Sequence, residues 1–156
     1  MYHKILVPLD GSELAECVLP HVETIAKGCH TTTVTFIRVA EPAIIPVADG
    51  EYFSPEIWAE MKSQAIASTQ NYLRKLFDRI QSQYEGIDVE TKIISGRVAD
   101  SIVEYANKND IDLIIIATHG RSGISRWIRG SVAERILHSS RMPVLMIQAQ
   151  GNEQPV

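Results

Sequence analysis

The sequence predicts an α/β fold, a parallel sheet with helices on both faces. Three observations carry that prediction. Short β-branched runs alternate with segments of helical periodicity along the chain, the pattern of strand–helix–strand units. The run Ile111-Asp112-Leu113-Ile114-Ile115-Ile116-Ala117 is apolar at nearly every position, as a strand covered on both faces must be. It stops at Thr118-His119-Gly120, and a helical pattern resumes only at Ser131, after a polar loop. No repeat, linker or low-complexity segment interrupts the alternation. One domain over residues 1–149 and a polar tail over 150–156 are expected.

Composition narrows the function classes. The 156 residues suffice for a substantial core, and 45% hydrophobic with 22% charged residues is ordinary for a globular chain. A net charge of −4 argues against nucleic acid as a partner through bulk electrostatics. No apolar run approaches the ~20 residues of a membrane span, and the amino terminus opens on a strand instead of a signal peptide. A cytoplasmic protein without a membrane partner is therefore expected. Cys17 and Cys29 lack metal-site spacing and read as buried thiols of a reducing compartment.

Each element has its own signal. Residues 3–9 make the first strand, with Ile5, Leu6 and Val7 at its centre and Pro8 ending it, since proline cannot donate within a ladder. Asp10-Gly11-Ser12 is a turn, with Ser12 as an N-cap. A helix is expected over 12–27, with Leu14, Cys17, Val18, His21, Val22 and Ile25 on one face, a kink at Pro20 and a stop at Gly28. The second strand spans 31–40, and residues 43–53, with Pro46 and Asp49-Gly50, form a long loop. Ser54 as cap and Pro55 in the first helical position open the longest helix. Its inward stripe is Trp58, Met61, Ala65, Tyr72, Leu73, Leu76, Phe77 and Ile80, and Gly86 ends the segment. A third strand at 88–94 and a helix at 98–107 follow, with Ile102, Val103 and Ala106 inward. The fourth strand spans 111–117, the last helix 131–139 and a short fifth strand 143–147.

The stretch after the fourth strand carries chemistry. Its loop holds Arg121, Arg126 and Arg129 with no acid among them. It ends at Gly130-Ser131, and Ser131 with Glu134 has the spacing of a capping box. A helix N-terminus offers unpaired N–H groups and partial positive charge to an anion such as phosphate. Glycines allow close backbone approach to such a ligand. In open α/β sheets, ligands bind beyond the carboxyl ends of the strands, where this loop begins.

Gly120, nine intervening residues, Gly130 and Ser131 reproduce most of a known spacing: Gly, two residues, Gly, nine residues, Gly, then Ser or Thr. The stretch resembles the nucleotide-binding signature of the universal stress protein family, with Ala117 standing where the first glycine would be. The segments Ile5-Leu6-Val7-Pro8-Leu9-Asp10-Gly11-Ser12 and Pro143-Val144-Leu145-Met146-Ile147 are similar to the family's two ends, so the resemblance spans essentially the whole chain. It implies a Rossmann-like sheet of five strands in the order 3-2-1-4-5. The switch point then falls between strands 1 and 4, where the Asp10 turn and the Gly120 loop meet. It also implies ATP or AMP in that crevice, with Mg²⁺ or Mn²⁺ accompanying the phosphates. A homodimer through the fifth strand is implied as well, since dimerisation covers an apolar sheet edge.

The candidate nucleotide contacts are Pro8, Leu9, Asp10, Val39, Ile116, Ala117, His119, Gly120, Arg121, Gly130, Ser131 and Val132. Asp10 either hydrogen-bonds ribose or base, lies near a phosphate-bound metal, or simply closes an Asx turn on Ser12. Ser131 serves as cap and anion contact at once. His119 either reaches phosphate or is an ordinary loop residue. Val39, Ile116 and Val132 match positions where the family contacts nucleotide, and for Val39 the contact is mostly through backbone. Ala117 adds one methyl group, which the site is expected to tolerate. P-loop, dinucleotide fingerprint, zinc-site, nucleophile-elbow and phosphoacceptor-receiver patterns are all missing. No catalytic residue and no protein metal site are assigned.

Two function classes follow. One is a nucleotide-binding regulatory protein whose loop responds to ligand and alters what an unknown protein partner sees. The other is a dimeric interaction protein of the same family whose loop is merely structural, the reading that Ala117 favours. A slow ATP hydrolase is a third possibility, for which no acid or base is clearly placed to orient water.

Overall fold

The computed structural model describes residues 1–40, 54–119 and 132–149. Its strands are β1 (Lys4–Pro8), β2 (Thr33–Val39), β3 (Asp88–Ile94), β4 (Leu113–His119) and β5 (Val144–Ala149). Its α-helices are α1 (Leu19–Gly28), α2 (Pro55–Ile80), α3 (Val98–Lys108) and α4 (Val132–Ser139). The strands form a parallel sheet in the order β3-β2-β1-β4-β5, as the resemblance implies. The centre goes to β1, where Ile5, Leu6 and Val7 are fully buried.

Side chains alternate between the two faces because the strand period is two. Ile5, Val7, Val34, Phe36 and Ile115 meet Val22 and Ala26 of α1 and Leu73, Leu76 and Ile80 of α2. Leu6, Ile37, Ile114 and Ile116 meet Ala99, Ile102 and Ala106 of α3 and Ile136 of α4. The run expected to be covered on both faces is covered: Leu113, Ile114, Ile115 and Ile116 are all buried, on alternating sides.

Four expectations change in detail. The helix over 12–27 is two pieces, a 3-10 turn at Ala15–Val18 and then α1. Pro20 therefore falls in the first turn of α1, where its missing N–H has no intrahelical role, and no mid-helix hydrogen bond is lost. Leu14 and His21 are exposed, since the break rotates them off the inward face. Gly28 is the last residue of α1, but the left-handed residue that turns the chain is His30, at φ 54°.

The strands β4 and β5 also end two residues later than the expected 117 and 147. Backbone pairing of Thr118 with Gln148 and of His119 with Ala149 extends them, whatever the side chains. Ser54 caps α2 as expected, its Oγ accepting from Ile57 N at 3.4 Å, with Pro55 next. The predicted stripe is buried only in the second half of that helix: Leu73, Leu76 and Ile80 are buried, whereas Trp58 is 44% exposed. The expected loop over 43–53 and the tail over 150–156 lie outside the described residues.

Candidate nucleotide site

The sheet order makes β1 the point of divergence. From β1 the chain passes outward to β2 and β3, then returns to the other side of β1 for β4 and β5. A ligand crevice is expected where neighbouring strands part in this way, at their carboxyl ends. The β1–β4 ladder pairs Ile5 with Leu113 and Leu6 with Ile114, although both strands continue beyond these pairs. Pro8, which has no N–H to donate, stands at the end of β1.

A small cleft lies there. It has a volume of about 30 Å³ and is lined by Asp10, Leu14, Ala15, Ala117, Thr118 and Ala149. Asp10 and Ala117 are thus brought together across more than a hundred residues of sequence. Leu9 anchors the near side: its N–H donates to Ile37 O at 2.9 Å and its side chain is buried. The turn then tightens on itself. Ser12 N donates to Asp10 Oδ1 at 2.8 Å, and Ala15 N donates to Ser12 Oγ at 3.1 Å. Asp10 therefore does close an Asx turn, while its carboxylate also borders the cleft.

The remaining candidates divide. Pro8 is buried at the end of β1. Ile116 is buried against α3 and α4, and Val39 packs half-buried on the same face. A ligand at the edge would meet the backbone of these two sooner than their side chains. His119 is the last residue of β4, level with Ala149. Val132 opens α4 and is 39% exposed. Gly120, Arg121, Gly130 and Ser131, with Arg126 and Arg129, lie outside the described residues. The sequence did not point to Thr118, Ala149 or Ala15 as cleft residues. Thr118 follows the buried run directly, so its place at the strand end was within reach; Ala149 depends on a β5 register that composition does not encode.

Glu16 supplies charge just behind the cleft. Its carboxylate accepts from Tyr72 Oη at 3.0 Å and pairs with Arg79. Burial, reinforced by the Glu16 carboxylate, raises the Tyr72 phenol above its ordinary value of 10.0, while Arg38 and Arg79 pull the other way. Among the described residues no group of three or more His, Cys, Asp or Glu side chains could hold a metal ion. No described helix is long and apolar enough to cross a membrane.

Residues 1–148 match the family model described as universal stress protein family. The chain belongs to that family. Universal stress protein MJ0531 of Methanocaldococcus jannaschii is 30% identical over 154 residues, covering 98% of this chain and 86% of the relative. The solved structure of protein MJ0577 superposes with a TM-score of 0.76 at 28% identity, covering 98% and 99% of the two chains. Universal stress protein MJ0577 of the same organism is 28% identical over 162 residues, 97% of this chain and 98% of its own. More distant family structures share the fold. One universal stress protein was solved in complex with cAMP, at TM-score 0.68 and 21% identity, covering 96% of this chain and 98% of its own. A family member from Arabidopsis thaliana was solved with AMP bound, at TM-score 0.64 and 18% identity, covering 97% and 95%.

Proposed function

We propose that this universal stress protein binds an adenine nucleotide, ATP or AMP, at the carboxyl edge between β1 and β4 and acts as a regulatory stress-response switch. The observation that carries the reading is the cleft at the switch point, where Asp10 of one strand end meets Ala117 and Thr118 of the other. A nucleotide pocket usually has roughly 300 Å³ or more. The cleft of about 30 Å³ would therefore be one end of the site, with phosphates directed toward the start of α4 at Val132. The basic, glycine-bounded loop joins those two points in sequence. Relatives solved with cAMP and with AMP support an adenine ligand over other anions. Magnesium or manganese would be held chiefly by the phosphates, with Asp10 the carboxylate at this edge.

The test has two steps. Freshly purified protein is denatured and any released nucleotide identified by chromatography; if it is empty, it is titrated with ATP and Mg²⁺ by calorimetry. The expected result is about one adenine nucleotide per chain, with the Ala117 methyl tolerated. No nucleotide and no binding up to millimolar ATP, confirmed by a second method, would replace this reading with the interaction-protein one.

Pairing through β5 is the second part of the proposal. It is a sheet edge, bonded on one side to β4, and Met146 on it is 36% exposed. An edge of this kind invites strand addition. Light scattering at micromolar concentration is expected to give a dimer; a strict monomer excludes that mode.

A further inference from the structure

The wall of the crevice formed by residues 10–15 is braced from behind at two points. One brace is Glu16, held by Tyr72 Oη and Arg79 of α2. The other is Arg38, near the end of β2. Its guanidinium carbon lies 5.1 Å from the centroid of the Tyr72 ring, within reach of a cation–π attraction. The same guanidinium abuts Gly11. A β-carbon at Gly11 would lie 2.7 Å from Arg38 Nη1 and 2.8 Å from Cζ. Gly11 also has φ 87°, a conformation that disfavours any side chain. The planar group therefore touches both an aromatic ring and the bare backbone of the turn that carries Asp10. The contacts form a closed path: Gly11 to Arg38, Arg38 to Tyr72, Tyr72 to Glu16, and Glu16 back along the chain to Gly11.

We propose that Arg38 is a positioning residue for the crevice: its guanidinium, fixed on Tyr72, supports the turn at Gly11 so that Asp10 is held toward the nucleotide. This rests on the nucleotide reading above. The planar fork suits the role, because a flat group can stack on a ring and still pack on a glycine, which a point-like ammonium cannot do as well. Arg38 acts through Asp10, so its contribution to binding disappears when Asp10 is absent.

Two measurements test this on the full chain. Hydrogen exchange of the ligand-free protein is compared for the parent and Arg38→Met, with far-UV circular dichroism confirming the fold. The Ser12 and Ala15 amides, which the turn hydrogen bonds protect, are expected to exchange about tenfold faster in the variant, while the Leu6 amide in β1 is unchanged. Calorimetric titration with ATP and Mg²⁺ is then run on the parent, Arg38→Met, Asp10→Ala and the double variant. Arg38→Met is expected to weaken ATP binding about tenfold in the parent background and less than about twofold in the Asp10→Ala background. Unchanged exchange overturns the proposal, as does faster exchange with unaltered affinity. An equal loss in both backgrounds also overturns it, because Arg38 would then not act through Asp10. A parent that binds no ATP removes the nucleotide reading and this proposal with it, a result distinct from all the others because it needs no variant. If Arg38→Met does not fold, Arg38→Lys carries the same test, since it keeps the charge and loses the plane.

Discussion

The two ends of the sheet treat an aspartate differently. At the amino edge, Asp112 Oδ2 accepts from the backbone N–H groups of His3 at 2.8 Å and Lys4 at 2.9 Å. Thr31 and Thr32 hydroxyls donate to the Tyr2 and His3 carbonyls nearby, and Lys4 Nζ reaches Asn109 O. That edge ties distant parts of the chain to one another. At the carboxyl edge, Asp10 Oδ1 accepts from Ser12, two residues away, and the same residue borders a cleft. One carboxylate joins segments more than a hundred residues apart; the other accepts from its own turn and belongs to a residue that lines the cleft. Bonds between distant segments mark the end that holds the fold, and a short turn beside a cleft marks the end proposed to take the ligand.

That contrast can be broken by substitution. Asp112→Ala leaves two backbone donors without their charged acceptor and is expected to cost about 2 kcal/mol, with discounting for partial solvent access. Thermal unfolding should then shift down by about 4–8 °C, while nucleotide affinity of the folded variant stays within about twofold. Asp10→Ala should do the reverse: ATP affinity at least about tenfold weaker, roughly 1.4 kcal/mol, with stability lowered by only about 0.5 kcal/mol. Calorimetry and denaturant titration on both proteins check the exchange of roles, and a large stability loss in Asp10→Ala would erase it.

Thr31→Val sharpens the amino-edge half. Thr31 is 3% exposed and its hydroxyl donates to Tyr2 O at 2.7 Å, so an isosteric apolar replacement should cost about 1 kcal/mol in denaturant unfolding. An unchanged midpoint would mean that this edge is less tightly bound than its geometry indicates.

The smallest effect concerns alkaline pH. Burial, followed by the Glu16 carboxylate, raises the Tyr72 phenol, so the folded chain keeps that proton to higher pH than the unfolded chain does. Its stabilisation is complete below about pH 10, the unfolded value, and is lost as pH rises toward the folded one. Tyr72→Phe should therefore show a shallower fall in melting temperature between about pH 10 and pH 11.5 than the parent, by roughly 2 °C. Parallel curves would show that Tyr72 is as free to ionise folded as unfolded.

Much of this architecture was legible because it rests on burial. The short β-branched run through Ile114 to Ile116 reads as a strand covered on both faces, and strand β3 was bounded correctly by Asp88 and Ile94. What could not be read depends on contacts between segments. Pro20 looked like a kink because nothing local reveals that the helix starts at Leu19. β4 and β5 end beyond their expected bounds because the ladder between them supplies the bonds. Of the candidate site, the resemblance implied that the Asp10 turn meets the Gly120 loop; that loop lies outside the described residues, and what the structure brings together is Asp10 with Ala117 and Thr118 at the end of β4. Arg38 carries no signal in the sequence beyond being the charged residue of an otherwise uncharged strand. Only the fold brings it against Gly11 and Tyr72.

The position of β1 has a consequence for how the chain assembles during synthesis. Its partner on one side, β2, begins at Thr33, but its partner on the other side, β4, begins at Leu113. A nascent chain can pair β1, β2 and β3 early, since these contacts are comparatively close in sequence. The second flank of β1, whose Ile5, Leu6 and Val7 are fully buried in the finished fold, stays uncovered until most of the remaining residues have left the ribosome. High contact order slows such closure, and an unpaired apolar flank is the feature most prone to intermolecular association. The clasp between Asp112 and the backbone at His3 and Lys4 forms only when β4 arrives, and so marks the step at which that hazard ends.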